Sequence, residues 1–264
     1  MAVFYRIAWC LVAPFVRLFF PTRVIGRENS PKGKAIFACN HRSGMDIVLI
    51  DCCRVKRPYV LAKHTLFNCK FFGAILRSFG AIPVNRQDVS TKTIRTAMKV
   101  LNEGNHLILF PEGTRKQSLD ETAALKNGMA LFALKTNSPI VPMYITKKPL
   151  PFVFNKLFIG KPLDFSEFEG QRATKEVLNE VSARVFEAMQ ELRTNYENSL
   201  SPKQRERLAR KNEKAIARDL KKQARKLEKN QAKGIPPIML KDSVTEPQEV
   251  DESNTEHSLS LIHI

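Results

Sequence analysis

Residues 34–53 read KAIFACNHRSGMDIVLIDCC, and this stretch decides the class of fold. KAIFAC (34–39) is a short, uninterrupted apolar run, which is typical of a strand buried on both faces. Ser43-Gly44 permits a sharp turn after it, and residues 44–55 are predicted to form a helix. A strand that passes through a short turn into a helix is the first half of a βαβ unit.

The same alternation continues along the chain. Further strands are predicted at PYVLA (58–62), AIPV (81–84), HLILF (106–110), PIVPMYI (139–145) and FVFNKLFI (152–159), with helices at 66–78, 88–103, 124–136 and 172–196. Strands that alternate with helices of this length predict an α/β fold with a central, largely parallel sheet flanked by helices. In such sheets, functional residues gather beyond the carboxyl ends of the strands.

Charge and cysteine content limit the classes of partner. The chain has 264 residues, with 43 Lys+Arg against 26 Asp+Glu and a net charge of +17, and 43% of its residues are hydrophobic. A core can therefore form, and the charge predicts an anionic partner: nucleic acid, an anionic membrane surface or a phosphorylated substrate. The five cysteines form no CxxC pair, so we expect neither a disulfide framework nor a zinc site. We expect a reducing, cytosol-facing location.

The N-terminal residues 1–21 predict a membrane-interface segment. The uncharged run between Arg6 and Arg17 has ten residues, whereas a bilayer-spanning helix needs about 20. Aromatic residues alternate here with arginines, a composition typical of a helix lying in the membrane interface. A helix packed on the protein's own core is the alternative, and in either case we expect Pro14 to kink or break it.

Three segments follow: a globular domain at 22–200, a basic helical extension at 201–234 and a disordered tail at 235–264. Residues 203–233 hold 13 Lys/Arg against 4 Asp/Glu, too few apolar residues for a core, and no aromatic residue that could stack on a base. We therefore expect this helix to attract anionic lipid rather than nucleic acid.

The first strand end supplies a candidate base. His41 follows KAIFAC at the edge of the sheet, and a histidine there can act as a general base if a carboxylate fixes its tautomer. Asp46 is five residues further on, on the wrong side of a continuous helix, so the pair meets only if the chain turns sharply. Ser43-x-x-Asp46 also fits a capping box, in which Asp46 serves only the helix start.

Two more strand ends supply arginines. Arg86 follows AIPV, and Pro111-Glu112-Gly113-Thr114-Arg115 follows HLILF. An arginine suits phosphate because its planar fork donates two parallel hydrogen bonds. The alternative for the second stretch is a solvated turn with a local Glu–Arg pair. Cys39 is interpreted as a buried core thiol rather than a nucleophile.

Four motifs, NHRSGMD (40–46), GAIPVNR (80–86), FPEGTR (110–115) and IVPM (140–143), resemble the glycerolipid acyltransferases in order and spacing. The resemblance covers about residues 20–165 and implies acyl transfer from acyl-CoA or acyl carrier protein to the free sn-2 hydroxyl of 1-acyl-sn-glycerol-3-phosphate (lysophosphatidate), giving phosphatidate. It implies no cofactor and no metal. It also implies an enzyme associated with the cytoplasmic face of the membrane.

The resemblance also implies roles for individual residues. His41 would take the proton of the acceptor hydroxyl, and Asp46 would orient His41 and stabilise its charged form. The acceptor's phosphate site would comprise Arg86, Glu112, Gly113, Thr114 and Arg115, and the supporting residues would be Asn40, Gly44 and Pro142. Two alternatives stay open: a different lysophospholipid or lyso-lipid acceptor, and, remotely, a basic nucleic-acid-binding protein.

Overall fold

A single mixed sheet organises the chain. The computed structural model describes residues 2–52, 58–85, 90–111 and 128–232. The strands within them are β1 Thr22–Ile25, β2 Ala35–Cys39, β3 Pro58–Lys63, β4 Ala81–Val84, β5 His106–Leu109, β6 Ile140–Ile145 and β7 Asn155–Ile159. Their order in the sheet is β1-β7-β6-β2-β5-β3-β4. Only the β6–β7 pair is antiparallel among these strands, so the predicted α/β class with a mostly parallel sheet is confirmed.

The helices are α1 Ala2–Phe19, α2 Met45–Cys52, α3 Lys70–Ser78, α4 Thr91–Asn102, α5 Gly128–Thr136, α6 Lys175–Asn198 and α7 Pro202–Ala232. Helices α4, α6 and α7 begin at a side-chain cap. Ser90 accepts a hydrogen bond from the Thr93 amide, Thr174 accepts one from the Val177 amide, and Ser201 accepts one from the Gln204 amide. The chain divides into two compact units, Met1–Ile216 and Ala217–Ile264, and the whole sheet lies in the first. The predicted tail, 235–264, lies outside the described residues.

The core has two layers because successive side chains of a strand point to opposite faces. Along β2, Ile36 and Ala38 face a cluster formed with α4, α5 and α6. Phe37 and Cys39 face a second cluster that includes Leu49 of α2. All five residues of β2 are buried, as expected for a central strand covered on both faces.

The direction of the strands defines an edge, which we call the strand-end edge. The carboxyl ends of β2, β3, β4, β5 and β6 meet there, since these strands are mutually parallel. Because β7 runs antiparallel to β6 and parallel to β1, the first residues of β7 and β1, Asn155 and Thr22, lie at this same edge. The residues between β6 and β7 therefore project from the edge that carries the ends of the other strands.

The structure differs from the sequence predictions in three details. The edge strand β1 was not predicted because it has four residues and exposes Arg23, so it carries little apolar signal. The strand predicted at 152–159 begins at Asn155, and Phe152 and Phe154 are exposed instead. Finally, α1 does not break at Pro14, because it continues to Phe19, and the alternative expectation of a kink stays a prediction.

Helix α1 exposes much of its apolar surface. Its large exposed side chains are Leu11, Val12, Phe15, Leu18 and Phe19. No helix in the described ranges has the length and hydropathy that crossing a bilayer requires. The membrane-interface role of this segment stays a prediction.

Candidate active site

His41 and Asp46 meet at the strand-end edge. His41 lies two residues after β2, Asp46 is the second residue of α2, and His41 Nδ1 lies 3.0 Å from Asp46 Oδ2. Both residues are buried, with 4% and 0% of their surfaces exposed. The sharp turn required for contact is present, since the α2 helix begins only at Met45.

One oxygen of Asp46 has three donors. Besides His41 Nδ1, Oδ2 accepts hydrogen bonds from the backbone amides of Arg42 and Ser43, each at 2.6 Å. The Ser43 hydroxyl in turn accepts a hydrogen bond from the Met45 amide at 3.3 Å. The two interpretations of Asp46, helix capping and contact with the histidine, are therefore both realised, and by the same atom.

The second oxygen of Asp46, Oδ1, is buried and makes no hydrogen bond within the described part of the chain. With Nδ1 of His41 donating to Oδ2, the neutral imidazole carries its unshared electron pair on Nε2. The carboxylate thus fixes the tautomer in which Nε2 is the proton acceptor.

Phe110 fixes the plane of the His41 ring. It follows β5, and its ring stacks on the imidazole with centroids 4.1 Å apart and an interplanar angle of 28°. The register of β2 with β5 explains the contact, because Ala38 lies opposite Leu109, so the next residues of the two strands leave the sheet side by side. Asp46 therefore contacts the edge of the His41 ring through Nδ1, and Phe110 contacts its face.

Asn40 ties the turn to β6. Its Nδ2 donates to the Ile145 carbonyl at 3.0 Å, and its Oδ1 accepts from the Ile145 amide at 2.8 Å. The side-chain amide thus continues the β2–β6 ladder beyond Cys39, the last residue of β2. Cys39 itself is fully buried in the core, and its thiol lies 3.6 Å from Asn40 Oδ1.

Arg42 reinforces the same connection. Its Nε donates to the Ile145 carbonyl at 3.1 Å and its Nη2 donates to the Tyr144 hydroxyl at 3.2 Å. Burial raises the pKa of the Tyr144 phenol above its ordinary value, while the nearby Arg42 guanidinium opposes that shift. The peptide that carries His41 is thus held on one side by Asn40 and on the other by Arg42.

Pro142 is buried in β6 and contacts Gly160, the residue after β7. Its carbonyl accepts the Gly160 amide at 2.8 Å, and a Cβ added at Gly160 would lie 2.8 Å from the Pro142 ring. Gly44, by contrast, is exposed in the turn before α2.

The predicted phosphate-binding residues, Arg86 and Glu112, Gly113, Thr114 and Arg115, lie outside the described residues. The residues before them are described: Asn85 follows β4, and Pro111 lies two residues after β5. Both strands end at the strand-end edge. In the ranges that the structure describes, no three His, Cys, Asp or Glu side chains are grouped in a way that could hold a metal ion.

Comparison with known proteins identifies the family. A family model described as "Acyltransferase" matches residues 21–146. A 1-acyl-sn-glycerol-3-phosphate acyltransferase from Bacillus subtilis is 32% identical over 155 residues, which are 55% of this chain and 75% of that protein. This chain belongs to the glycerolipid acyltransferase family.

Two further similar proteins support membership of this family. An enzyme of the same name from Borreliella burgdorferi is 37% identical to this acyltransferase over 51% of the chain and 55% of its own length. The crystal structure of the 1-acyl-sn-glycerophosphate (LPA) acyltransferase PlsC from Thermotoga maritima has a TM-score of 0.51 at 26% identity, covering 68% of this chain and 75% of that one. The resemblance expected from the four sequence motifs is confirmed, and the fold of the acyltransferase matches that of its relative.

Three residues of the site were missed by sequence reasoning: Phe110, Arg42 and Tyr144. Phe110 was taken as the end of a strand, although an aromatic residue directly before PEGTR is the signal that could have drawn attention to it. Arg42 stands inside the NHRSGMD motif, but its partners are 102 and 103 residues away in sequence. Only the pairing of β2 with β6 reveals that contact.

Proposed function

We propose that this acyltransferase moves an acyl chain from acyl-CoA or acyl carrier protein to the sn-2 hydroxyl of 1-acyl-sn-glycerol-3-phosphate. The names of its relatives support the acceptor, and the pairing of His41 with Asp46 supports the chemistry. The observation that carries the proposal is the 3.0 Å contact between Nδ1 and Oδ2, because it leaves Nε2 as the basic nitrogen at the strand-end edge.

In the proposed mechanism, Nε2 of His41 takes the proton of the acceptor hydroxyl as its oxygen attacks the thioester carbonyl. The C–O bond forms and the C–S bond breaks, and the imidazolium returns the proton to the departing thiolate. Asp46 stabilises the imidazolium through the Nδ1–Oδ2 hydrogen bond. The stacked Phe110 ring and the Oδ2 contact together keep the imidazole oriented through both proton transfers.

The acceptor's phosphate is proposed to bind Arg86 and the Glu112, Gly113, Thr114, Arg115 stretch. Their support is the family resemblance together with their position directly after β4 and β5, whose carboxyl ends share the edge that carries His41. Arginines at such an edge would fix the acceptor by charge-assisted hydrogen bonds, which orient the hydroxyl toward the base.

The strand-end edge is proposed to face a lipid bilayer on the cytoplasmic side. Three groups of exposed apolar side chains support this: the α1 residues given above, Leu66, Phe71 and Phe72 after β3, and Leu150, Phe152 and Phe154 between β6 and β7. The α1 and β6–β7 groups are joined, since the Phe152 amide donates to the Phe19 carbonyl at 2.6 Å and the two rings lie 5.2 Å apart. Contiguous exposed apolar surface of this kind marks a membrane or protein contact.

An acyl-transfer assay in detergent or liposomes tests the proposal, with wild type and His41→Ala as its matched blank. Each is offered acyl-CoA or acyl carrier protein with lysophosphatidate, lysophosphatidylcholine or monoacylglycerol. We expect transfer to lysophosphatidate by wild type, and a loss of about 10² to 10⁴ in rate for His41→Ala. Equal transfer to monoacylglycerol would reject the phosphate requirement, and an unimpaired His41→Ala would reject the base.

A further inference from the structure

A cavity lies at the junction of α1 and β1. It has a volume of about 780 Å³, and eight of its ten lining residues come from residues 16–27, where α1 ends and β1 begins. The other two are Leu49 of α2 and Phe154, which precedes β7. Neither His41 nor Asp46 lines it, so the proposed chemistry does not account for this cavity.

The charge around the cavity has one sign. Arg17, Arg23 and Arg27 line it, and no acidic residue does. Arg23 and Arg27 are exposed and form no ion pair with a carboxylate in the described ranges. The guanidinium groups of Arg23 and Arg27 therefore favour an anion, and their planar forks match the oxygens of a phosphate.

The remaining wall is apolar except for Thr22. Its apolar residues are Val16, Phe20, Pro21, Val24, Leu49 and Phe154. Phe20 and Val24 also pack on the second core cluster, which contains Leu49, so this wall is anchored to the core of the sheet. A site with a cationic side and an apolar side is complementary to an amphiphile, and the volume lies within the range of ligand pockets.

The cavity also lies where lipid would reach it. Thr22, the first residue of β1, lines the cavity at the strand-end edge, and Phe154 is about half exposed. Leu18 and Phe19, which lie between the lining residues Arg17 and Phe20 in sequence, are exposed apolar side chains of α1. A lipid held here would have its chains beside an exposed apolar surface and its headgroup beside the arginines.

We propose that this cavity binds an anionic phospholipid, with the phosphate against Arg17, Arg23 and Arg27 and an acyl chain along Phe20 and Phe154. The lining residues include neither His41 nor Asp46, so this proposal does not rest on the proposed reaction.

Binding of a soluble short-chain lipid tests it. Full-length protein in maltoside detergent is titrated with dihexanoyl phosphatidylglycerol, which offers a phosphate diester and two acyl chains. Zwitterionic dihexanoyl phosphatidylcholine and inorganic phosphate are titrated in parallel. We compare wild type with Arg23→Gln/Arg27→Gln and with the control Lys161→Gln/Arg172→Gln, which removes the same charge from two exposed positions outside the cavity.

We expect the Arg23→Gln/Arg27→Gln variant to bind phosphatidylglycerol at least about tenfold more weakly than wild type, and the control variant to bind as wild type does. Equal weakening in both double variants would overturn the site, because charge alone would then explain binding. Equal affinity for phosphatidylcholine, or displacement of the lipid by inorganic phosphate, would overturn its identity as an anionic-lipid site. Acyl transfer in detergent should be unchanged in Arg23→Gln/Arg27→Gln, which separates this result from the fate of the proposed reaction.

Discussion

The side chain of Asn40 is hydrogen-bonded in both directions to the main chain of Ile145. The two bonds, 3.0 Å and 2.8 Å, reproduce with a side-chain amide the contact that a peptide of β2 would make with β6. Asn40 lies in the turn, yet its side chain is hydrogen-bonded to β6 as a residue of a paired strand would be. The residue before His41 is therefore held in place by the sheet.

Replacing Asn40 with alanine should destabilise the protein and reduce activity together. The variant leaves the buried Ile145 amide without its acceptor, at a cost of about 2 kcal/mol in the free energy of unfolding. Urea unfolding and the rate of acyl transfer measure the two effects. Asn102→Ala, an exposed asparagine at the end of α4, is the matched control and should change neither. An Asn40→Ala protein as stable as wild type would contradict the role assigned to the two bonds.

Asp46→Asn should separate the charge of Asp46 from its capping role. An asparagine oxygen in the place of Oδ2 can still accept from His41 and from both backbone amides, and the amide nitrogen takes the place of Oδ1, which makes no hydrogen bond in the described residues. We expect helix content to persist while the rate falls by about 10²-fold or more, because the imidazolium loses its counter-charge.

Asp46→Ala is the companion variant, since it removes the charge and the acceptor. It should lower the free energy of unfolding by about 2 kcal/mol or more. Circular dichroism, urea unfolding and steady-state rates distinguish the two variants. If Asp46→Asn kept the wild-type rate, Asp46 would serve only the start of α2.

Tyr144 should make the protein sensitive to alkali. Burial raises its pKa in the folded protein, whereas in the unfolded chain the phenol titrates near its ordinary value of about 10. Its contribution to stability is therefore complete below about pH 10 and is lost as the pH rises toward the folded-state pKa.

Tyr144→Phe tests this expectation by urea unfolding near pH 8 and near pH 11. At the lower pH the variant should be less stable by about 1 kcal/mol, because it loses the hydrogen bond from Arg42. At the higher pH the difference should shrink or reverse. A difference that stayed constant across this range would show that Tyr144 does not cause the alkaline loss.

The Phe152 side chain should contribute more to membrane binding than to the stability of the fold. Phe152 has a φ of 58°, in the left-handed region that bulky residues avoid, and 71% of its surface is exposed. Phe152→Gly removes that strain, so the free energy of unfolding should not fall by more than the loss of the Phe19 contact. Partitioning into anionic vesicles should fall by about tenfold, the equivalent of one large apolar side chain.

Vesicle sedimentation measures the partitioning, and the emission of Trp9, the sole tryptophan, reports insertion of α1. Phe152→Leu keeps an apolar side chain at the same position and is the control that should still partition. If Phe152→Gly bound vesicles as wild type does but unfolded more easily, the residue would be a structural one.

Much of the fold was predictable because its strands are continuous apolar runs. AIPV was placed at the observed bounds of β4, and the strands predicted at 34–39, 58–62, 106–110 and 139–145 differ from the observed ones by one residue at an end. Composition does not reveal exposure, and for that reason Phe152 and Phe154 were assigned to a strand although their side chains face outward. The opposite cause left β1 undetected, because its four residues carry little apolar signal.

The meeting of His41 with Asp46 was predictable as one of two alternatives, since the sequence allows the turn but does not require it. Local spacing offered either a capping box or a catalytic pair, and it gave no reason to expect that Oδ2 would serve both. Asn40 and Arg42 depend on partners in β6, and Phe110, which follows β5, depends on His41, which follows β2. These partners are distant in sequence. Their roles follow from the strand register, which spacing alone does not determine.

Because β7 runs antiparallel to β6, the residues between these two strands can vary without changing the strand that leads to His41. Residues 147–154 leave and re-enter the sheet as one hairpin, whose base is tied by Asn155 to Thr146 and Lys147. The strand that leads to His41, in contrast, lies between β5 and β6 in the middle of the sheet. A homologue can therefore lengthen, shorten or change the residues of this hairpin while the strand that leads to His41 keeps both neighbouring strands. We expect insertions among relatives to concentrate in the hairpin.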